Sequence, residues 1–140
     1  LSVAESCTGG LISNLITNVA GSSDYFERGY VVYSNRSKIE LLDVPEEIIK
    51  SYGAVSPHSA IAMAERVKRK SGTDIGLSVT GIAGPTGGTI EKPVGLVYIA
   101  VAGGKDTKCK EYRFKGEREN IKSESALTAL NYLKEYLISV

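Results

Sequence analysis

The sequence predicts an α/β fold, a three-layer α/β/α sandwich around one mixed, mainly parallel sheet. Strand-length apolar runs alternate along the chain with segments whose apolar residues recur at helical spacing. The last two predicted strands are joined by a short glycine-containing turn, which makes that pair antiparallel. Two strand ends carry polar, glycine-rich segments, Ala4–Gly10 and Gly81–Gly88, and ligands of open α/β sheets bind at such ends.

The first strand and helix form a βα unit at the start of the chain. Leu1–Ala4 has the composition of a short strand. Apolar residues then recur at helical spacing from Leu11 to Val19, with Thr8 placed to cap the helix and Gly21 to end it.

The next segment predicts one strand and three helices. Tyr30–Tyr33 is typical of a buried strand, and Arg36–Leu42 of a short helix that ends at the turn Asp43–Pro45. A second short helix runs from that proline through Tyr52. The third helix spans Ser56–Gly72, with serine as its cap and proline at its first position.

Three strands and a long helix complete the predicted fold. Ile75–Thr80, Gly95–Ala102 and Lys108–Phe114 are the strands, and Gly103–Asp106 is the turn between the last two. Apolar residues return at helical spacing in Arg118–Ile138, which predicts a closing helix against the sheet.

Length and charge predict one cytoplasmic domain spanning residues 1–140. The chain has 140 residues, 42% of them hydrophobic, and a net charge of +1. This composition supports one core, offers no electrostatic footprint for nucleic acid or for a membrane surface, and contains no membrane-spanning run. We expect a soluble homo-oligomer, because closed symmetric assemblies are common among such domains.

Cysteine, histidine and carboxylate usage limits the chemistry of the chain. Cys7 and Cys109 are far apart, which predicts free thiols rather than a disulfide or zinc site. His58 is the one histidine and falls in the first turn of a helix, where a surface role is expected, so no Ser-His-Asp triad is predicted. Glu5 and Asp24 lack the further ligands that a metal site needs.

Serines, one lysine and one tyrosine are the remaining candidates for catalysis. A lysine that burial keeps neutral can activate a serine, and Lys38 is the candidate base. Tyr33 precedes it by five residues and has a hydroxyl that can orient or relay a proton in the same pocket. On spacing alone, a surface helix lysine is the more common interpretation of Lys38, because lysines are seldom buried. Ser22 and Ser23 are either part of a site or turn-forming residues.

Five ordered motifs resemble the CinA C-terminal domain family, and the resemblance runs from the first residue to the last helix. The motifs are Ala4–Gly10, Gly21–Ser23, Tyr33–Asn35 with Lys38, Gly53–Ser56, and Thr80–Pro85 continuing through Lys92–Gly95. The resemblance implies an α/β/α sandwich, in agreement with the fold predicted above. It also implies nicotinamide-nucleotide amidohydrolase activity, which is the hydrolysis of the carboxamide of nicotinamide mononucleotide to give nicotinate mononucleotide and ammonia.

The resemblance further implies a serine mechanism without metal or cofactor. The family's catalytic set falls on Ser6, Ser23, Tyr33 and Lys38. We expect Ser23 to be the nucleophile, with Ser6 as the rival, and Lys38 to deprotonate Ser23 directly or through Ser6. The resulting acyl-enzyme is then hydrolysed by water.

Substrate-binding residues are expected in the two glycine-rich segments and the last helix. Backbone N–H groups near the first helix suit either the oxyanion or the substrate phosphate. The second segment is expected to wrap the ribose phosphate or the pyridinium ring, and the arginine to reach the phosphate. The full predicted set is Cys7, Thr8, Gly9, Gly10, Gly81, Ala83, Gly84 and Arg118.

Two other functions are compatible with parts of the sequence. A non-catalytic nucleotide-binding module in competence or DNA-damage regulation needs the glycine-rich segments but neither Ser23 nor Lys38. A structural oligomerisation module leaves those segments unexplained. The joint presence of the serines and Lys38 therefore favours the enzyme, with a small nucleotide as its partner rather than nucleic acid or a membrane.

Overall fold

Five strands form one mixed sheet in the computed structural model, which describes all 140 residues. The strand order is β2-β1-β3-β4-β5; the first three of these run parallel, whereas β4 is antiparallel to both β3 and β5. The predicted fold class is confirmed. The strands are β1 (Ser2–Glu5), β2 (Arg28–Val31), β3 (Gly76–Gly81), β4 (Leu96–Ala102) and β5 (Thr107–Arg113).

Helices cover both faces of this sheet. Apolar side chains of the first and last helices pack on one face, and those of the middle three pack on the other. None of the helices combines the length and hydropathy that crossing a bilayer requires. The helices are α1 (Leu11–Thr17), α2 (Asn35–Leu42), α3 (Glu46–Tyr52), α4 (Pro57–Ser71) and α5 (Arg118–Ser139), and Ser22–Asp24 forms a 3₁₀ turn.

Two predicted elements differ from the structure. Helix α1 ends at Thr17, two residues before Val19, and Gly10 rather than Thr8 is at its N-cap. The Thr8 hydroxyl donates instead to a buried carboxylate. Strand β2, Arg28–Val31, begins earlier than predicted and is largely exposed, because it is the edge strand and pairs only with β1.

Small residues bring α4 close to the sheet. Gly76 and Ser78 on β3 face Ala60 and Ala64 on α4, and Ala100 on β4 packs against the same alanines. The Ser78 hydroxyl donates to the carbonyl of Ala60 at 2.6 Å. This close contact fixes the start of α4, and with it the preceding loop, at the carboxyl end of β3.

We predict that Gly76→Ala lowers the free energy of unfolding by about 1–3 kcal/mol, because the added methyl group overpacks the contact with α4. A Cβ at residue 76 would collide with the Ala64 carbonyl oxygen and would lie 2.8 Å from Lys68 Cβ. Urea denaturation measures the difference. Gly104→Ala is the matched control, since nothing lies within 4 Å of its added Cβ; equal stability of the two variants would contradict the packing account.

Candidate active site

The carboxyl ends of the three parallel strands meet around a small cavity of about 190 Å³. β1 lies in the middle, with its connection to β2 on one face and the connection from β2 to β3 on the other. Open α/β sheets bind ligands at such a switch point. The cavity wall includes Ser6 after β1, Tyr33 and Lys38 after β2, and Thr80 and Gly81 at the end of β3.

Lys38 is buried against the end of β2, with 1% of its surface exposed. Its Nζ lies 2.9 Å from Ser6 Oγ and 2.9 Å from each of the carbonyl oxygens of Val32 and Tyr33. The Ser34 side chain caps α2, so Lys38, in the first turns of that helix, reaches back over the strand end. The interpretation of Lys38 as a surface lysine is therefore wrong.

Burial lowers the pKa of the Lys38 ammonium to about 8 from an ordinary value of 10.5. The cause is lost hydration of the charged form; the nearby Cys7 acts weakly in the opposite direction. With a pKa near 8, about a tenth of the Lys38 side chains are neutral at pH 7. A neutral amine of this kind can accept a proton from a serine hydroxyl.

Cys7 follows Ser6 in the chain and also lines the cavity, but its environment keeps it unreactive. Burial raises the pKa of its thiol to about 11, although its own backbone amide and, to a smaller extent, the ammonium groups of Lys38 and Lys122 lower that pKa. The thiolate is the nucleophilic form of cysteine. Ser6 is therefore the nucleophile candidate that the geometry favours.

The carboxylate of Glu5 holds the turn that carries Ser6. It is fully buried and accepts four hydrogen bonds. Oε1 accepts from the Thr8 hydroxyl at 2.7 Å and from the Ile12 amide at 2.8 Å. Oε2 accepts from the amide and the hydroxyl of Ser13 at 2.9 and 2.8 Å. From the sequence, Glu5 was examined only as a possible metal ligand. Its position between a strand and a glycine-rich helix start was the signal that could have indicated a carboxylate bonded to the first amides of the helix.

Backbone amides in the same turn provide hydrogen-bond donors beside Ser6. The amide of Gly9 donates to the Ser6 carbonyl at 3.1 Å, that of Cys7 contacts the sulfur of its own side chain, and those of Thr8 and Gly10 donate to no group of the protein. The Gly9 amide, which was predicted to bind the substrate, is therefore already occupied. The two amides that directly follow Ser6, those of Cys7 and Thr8, donate to no oxygen of the protein and can donate to a negatively charged oxygen.

Arg118 links the end of β2 to the second glycine-rich segment. It is the first residue of α5, and its guanidinium donates to the Tyr33 hydroxyl at 2.9 Å and to the Gly84 carbonyl at 2.6 Å. Tyr33 is 59% exposed. Its carbonyl, not its hydroxyl, contacts Lys38. The structure thus places Tyr33 and Arg118 at the cavity but gives the hydroxyl no direct path for a proton from Lys38.

The second glycine-rich segment is shaped by packing as well as by the cavity. Gly81 and Ala83 line the cavity. A Cβ on Gly81 would lie 2.6 Å from Val97 Cγ2 and 2.8 Å from the Leu96 carbonyl oxygen, so β4 excludes any side chain there. Gly84 has a φ of 74°, which favours glycine, and offers its carbonyl to the guanidinium described above.

Ser23 lies away from the other predicted catalytic residues. It lines a separate cavity together with Leu1 and Asp74, which precede β1 and β3. The five residue-to-residue steps from Leu1 to Ser6 span about 16 Å of extended chain, so Ser23 does not contact Lys38. The reason is that α1 runs back along β1 and returns the chain to the amino ends of the strands. The structure therefore separates the predicted nucleophile from the predicted base.

The sequence and the fold match a known family. Residues 1–137 match the CinA C-terminal domain. The chain belongs to this family. A CinA-like protein of Syntrophus aciditrophicus (strain SB) is 54% identical over 138 residues, which are 98% of this chain and 33% of the relative. A CinA-like protein of Dictyoglomus thermophilum is 52% identical over 140 residues, which are 100% of this chain and 34% of the relative.

Solved structures give the same result. The competence/damage inducible protein CihA from Agrobacterium tumefaciens has a TM-score of 0.93 and 42% identity, over 96% of this chain and 82% of that one. The competence damage-inducible protein A from Klebsiella pneumoniae has a TM-score of 0.94 and 31% identity, over 98% and 85%. The chain spans about a third of the length of the curated relatives it matches.

We predict that Glu5→Gln lowers the free energy of unfolding by about 2–3 kcal/mol. Either orientation of the new amide turns its NH₂ toward a backbone N–H, that of Ile12 or that of Ser13, and leaves a buried donor without an acceptor. Urea denaturation measures the loss. Glu124→Gln, on the exposed side of α5, is the matched control and should change stability by less than about 0.5 kcal/mol; a similarly small change in Glu5→Gln would refute the role of Glu5.

Proposed function

We propose that this chain is an amidohydrolase that hydrolyses the carboxamide of nicotinamide mononucleotide to nicotinate mononucleotide and ammonia. The observation that carries the proposal is the 2.9 Å contact between Lys38 Nζ and Ser6 Oγ, two buried groups at a cavity. This pair is a nucleophile with its own base. The choice of substrate rests on the resemblance of the motifs to the family, and the site supports the reaction type.

In the first step, neutral Lys38 takes the proton of Ser6 as the serine oxygen attacks the carboxamide carbon. Two N–H bonds of the amine are directed to the carbonyls of Val32 and Tyr33, which leaves its lone pair for the Ser6 hydroxyl. The new C–O bond drives the carbonyl electrons onto oxygen. The amide of Cys7 can donate to that oxyanion and stabilise the transition state.

In the second step, the Lys38 ammonium gives its proton to the nitrogen of the tetrahedral intermediate. The C–N bond breaks, ammonia leaves, and an ester to Ser6 remains. Water then attacks the ester while Lys38 again accepts a proton. Collapse of the second intermediate releases nicotinate mononucleotide and returns the proton to Ser6 Oγ. Only groups of the chain and water take part in these steps.

The space around the reacting pair suits a nucleotide. The inner cavity of about 190 Å³ shares Ala83 and Arg118 with a wider cavity of about 630 Å³. Together the two volumes fall in the range of small-molecule sites. A narrow inner part for the ring carboxamide and a wider outer part for the uncharged ribose support the proposal.

We expect Ser6→Ala and Lys38→Met to lose at least about 10³-fold in kcat for ammonia release from nicotinamide mononucleotide, because each removes one member of the reacting pair. The assay is run with a chelator present. Ser23→Ala is the matched control, since that serine lies at the opposite edge of the sheet, and it should retain activity within about twofold.

The same assay separates the alternatives. Loss in Ser23→Ala with activity kept in Ser6→Ala would overturn the assignment of the nucleophile. Binding of the mononucleotide without ammonia release by the parent chain would replace the enzyme with a nucleotide-binding module.

The pH dependence of the rate should follow Lys38. With a pKa of about 8, the neutral fraction of its amine rises about tenfold per pH unit below that value and then levels off. We therefore expect kcat/KM to rise from pH 6 to a plateau above pH 8, measured by ammonia release at saturating and limiting substrate. A rate that is flat from pH 6 to pH 8 would contradict Lys38 as the base.

A further inference from the structure

A second lysine lies beside the turn that carries the nucleophile. Lys122 is on α5, four residues after Arg118, and is half-buried. Its Nζ is 3.8 Å from the position that a Cβ on Gly9 would occupy. Its positive charge also lowers the pKa of Cys7. The Lys122 ammonium is therefore directed at the segment that follows Ser6, although the chain brings it there from its last helix.

Lys122 has no anionic partner in the protein. No hydrogen bond or ion pair involves its Nζ. The other lysines whose ammonium group makes no hydrogen bond or ion pair are exposed; they are Lys105, Lys115 and Lys134. Partial burial of an ammonium is unfavourable unless a counter-charge compensates for the lost hydration. A bound anion would supply that charge.

The charges around the start of α5 favour an anion on the side of Arg118 that faces Lys122, and disfavour one on the side that faces the wider cavity. Residues four apart on a helix share a face, so Arg118 and Lys122 are directed to the same side. The wider cavity beyond Arg118 is lined by Glu117 and Glu119, whose carboxylates disfavour an anion there. Glu119 does not come within 4.0 Å of Lys122. The region between Lys122, Arg118 and Gly9 is the one left with net positive charge.

We propose that Lys122, together with Arg118, binds the phosphate of the nucleotide substrate and makes the site select phosphorylated nicotinamide nucleosides. This inference rests on the proposed function. The hydrogen bond from the Gly9 amide to the Ser6 carbonyl forms a tight turn, whose end Cα atoms lie within about 7 Å. One pyridine ring and one ribose separate the carboxamide from the phosphate. A substrate held at Ser6 by its carboxamide thus extends along this turn toward Lys122.

The test is equilibrium binding, which needs no turnover. In the Ser6→Ala chain, calorimetry gives Kd for nicotinamide mononucleotide and for nicotinamide riboside, which lacks the phosphate. We expect Lys122→Met to weaken mononucleotide binding by about 10- to 100-fold, the loss typical of a charged hydrogen bond, and to leave riboside binding within about twofold. Lys122→Arg should restore most of the affinity. Lys134→Met, exposed on the same helix, is the matched control and should change neither Kd.

Three outcomes would overturn the inference: unchanged mononucleotide binding in Lys122→Met, an equal loss for both ligands, or no binding of either ligand by the parent Ser6→Ala chain. Ammonia release by the unmodified chain is measured separately. Selective loss of mononucleotide binding without ammonia release would keep the phosphate site and reject the hydrolase. Ammonia release with unchanged binding in Lys122→Met would keep the hydrolase and reject the phosphate site.

Discussion

Burial of the Lys38 amine against the end of β2 is the constraint on which the site depends. Its Nζ is surrounded by the Ser6 hydroxyl and by the carbonyl oxygens of Val32 and Tyr33, and little water reaches it. This arrangement requires β1 and β2 to be parallel neighbours, because only then do Ser6 and Val32 lie side by side. It also requires α2 to begin directly after the strand, as the Ser34 cap ensures.

The buried Lys38 amine lowers the stability of the native state at neutral pH. The folded pKa of Lys38, about 8, lies below its ordinary 10.5, so the native state binds fewer protons than the unfolded state between these values. Stability therefore rises with pH across that window, and Lys38 destabilises the native state below it. The rest of the site compensates: Glu5 accepts four hydrogen bonds at the turn after β1, and close packing of α4 fixes the facing loop. Functional sites commonly combine strain with such rigid support.

The sequence predicted the fold better than the site, for physical reasons that differ between residues. Periodicity located the helices because amphipathic faces are local, whereas the exposure of edge strand β2 depends on which strands pair. Lys38, the proposed base, was found through its motif, but its burial was not visible from spacing. Ser23 was misplaced relative to Lys38, since the direction in which α1 returns the chain decides which edge it reaches. Lys122 was missed because its neighbour Gly9 is distant in sequence.

The central claim is that burial lowers the pKa of Lys38 to about 8, so that a useful fraction of its amine is neutral and able to act as a base near neutral pH. Its most direct test is an NMR titration of the Lys38 side chain in protein labelled at lysine Cε, with the resonance assigned by its absence in Lys38→Met. The account predicts a midpoint near pH 8, well below the ordinary 10.5 of a lysine. A midpoint near the ordinary 10.5 would mean that the ammonium stays charged in the site, and would contradict Lys38 as the group that deprotonates Ser6.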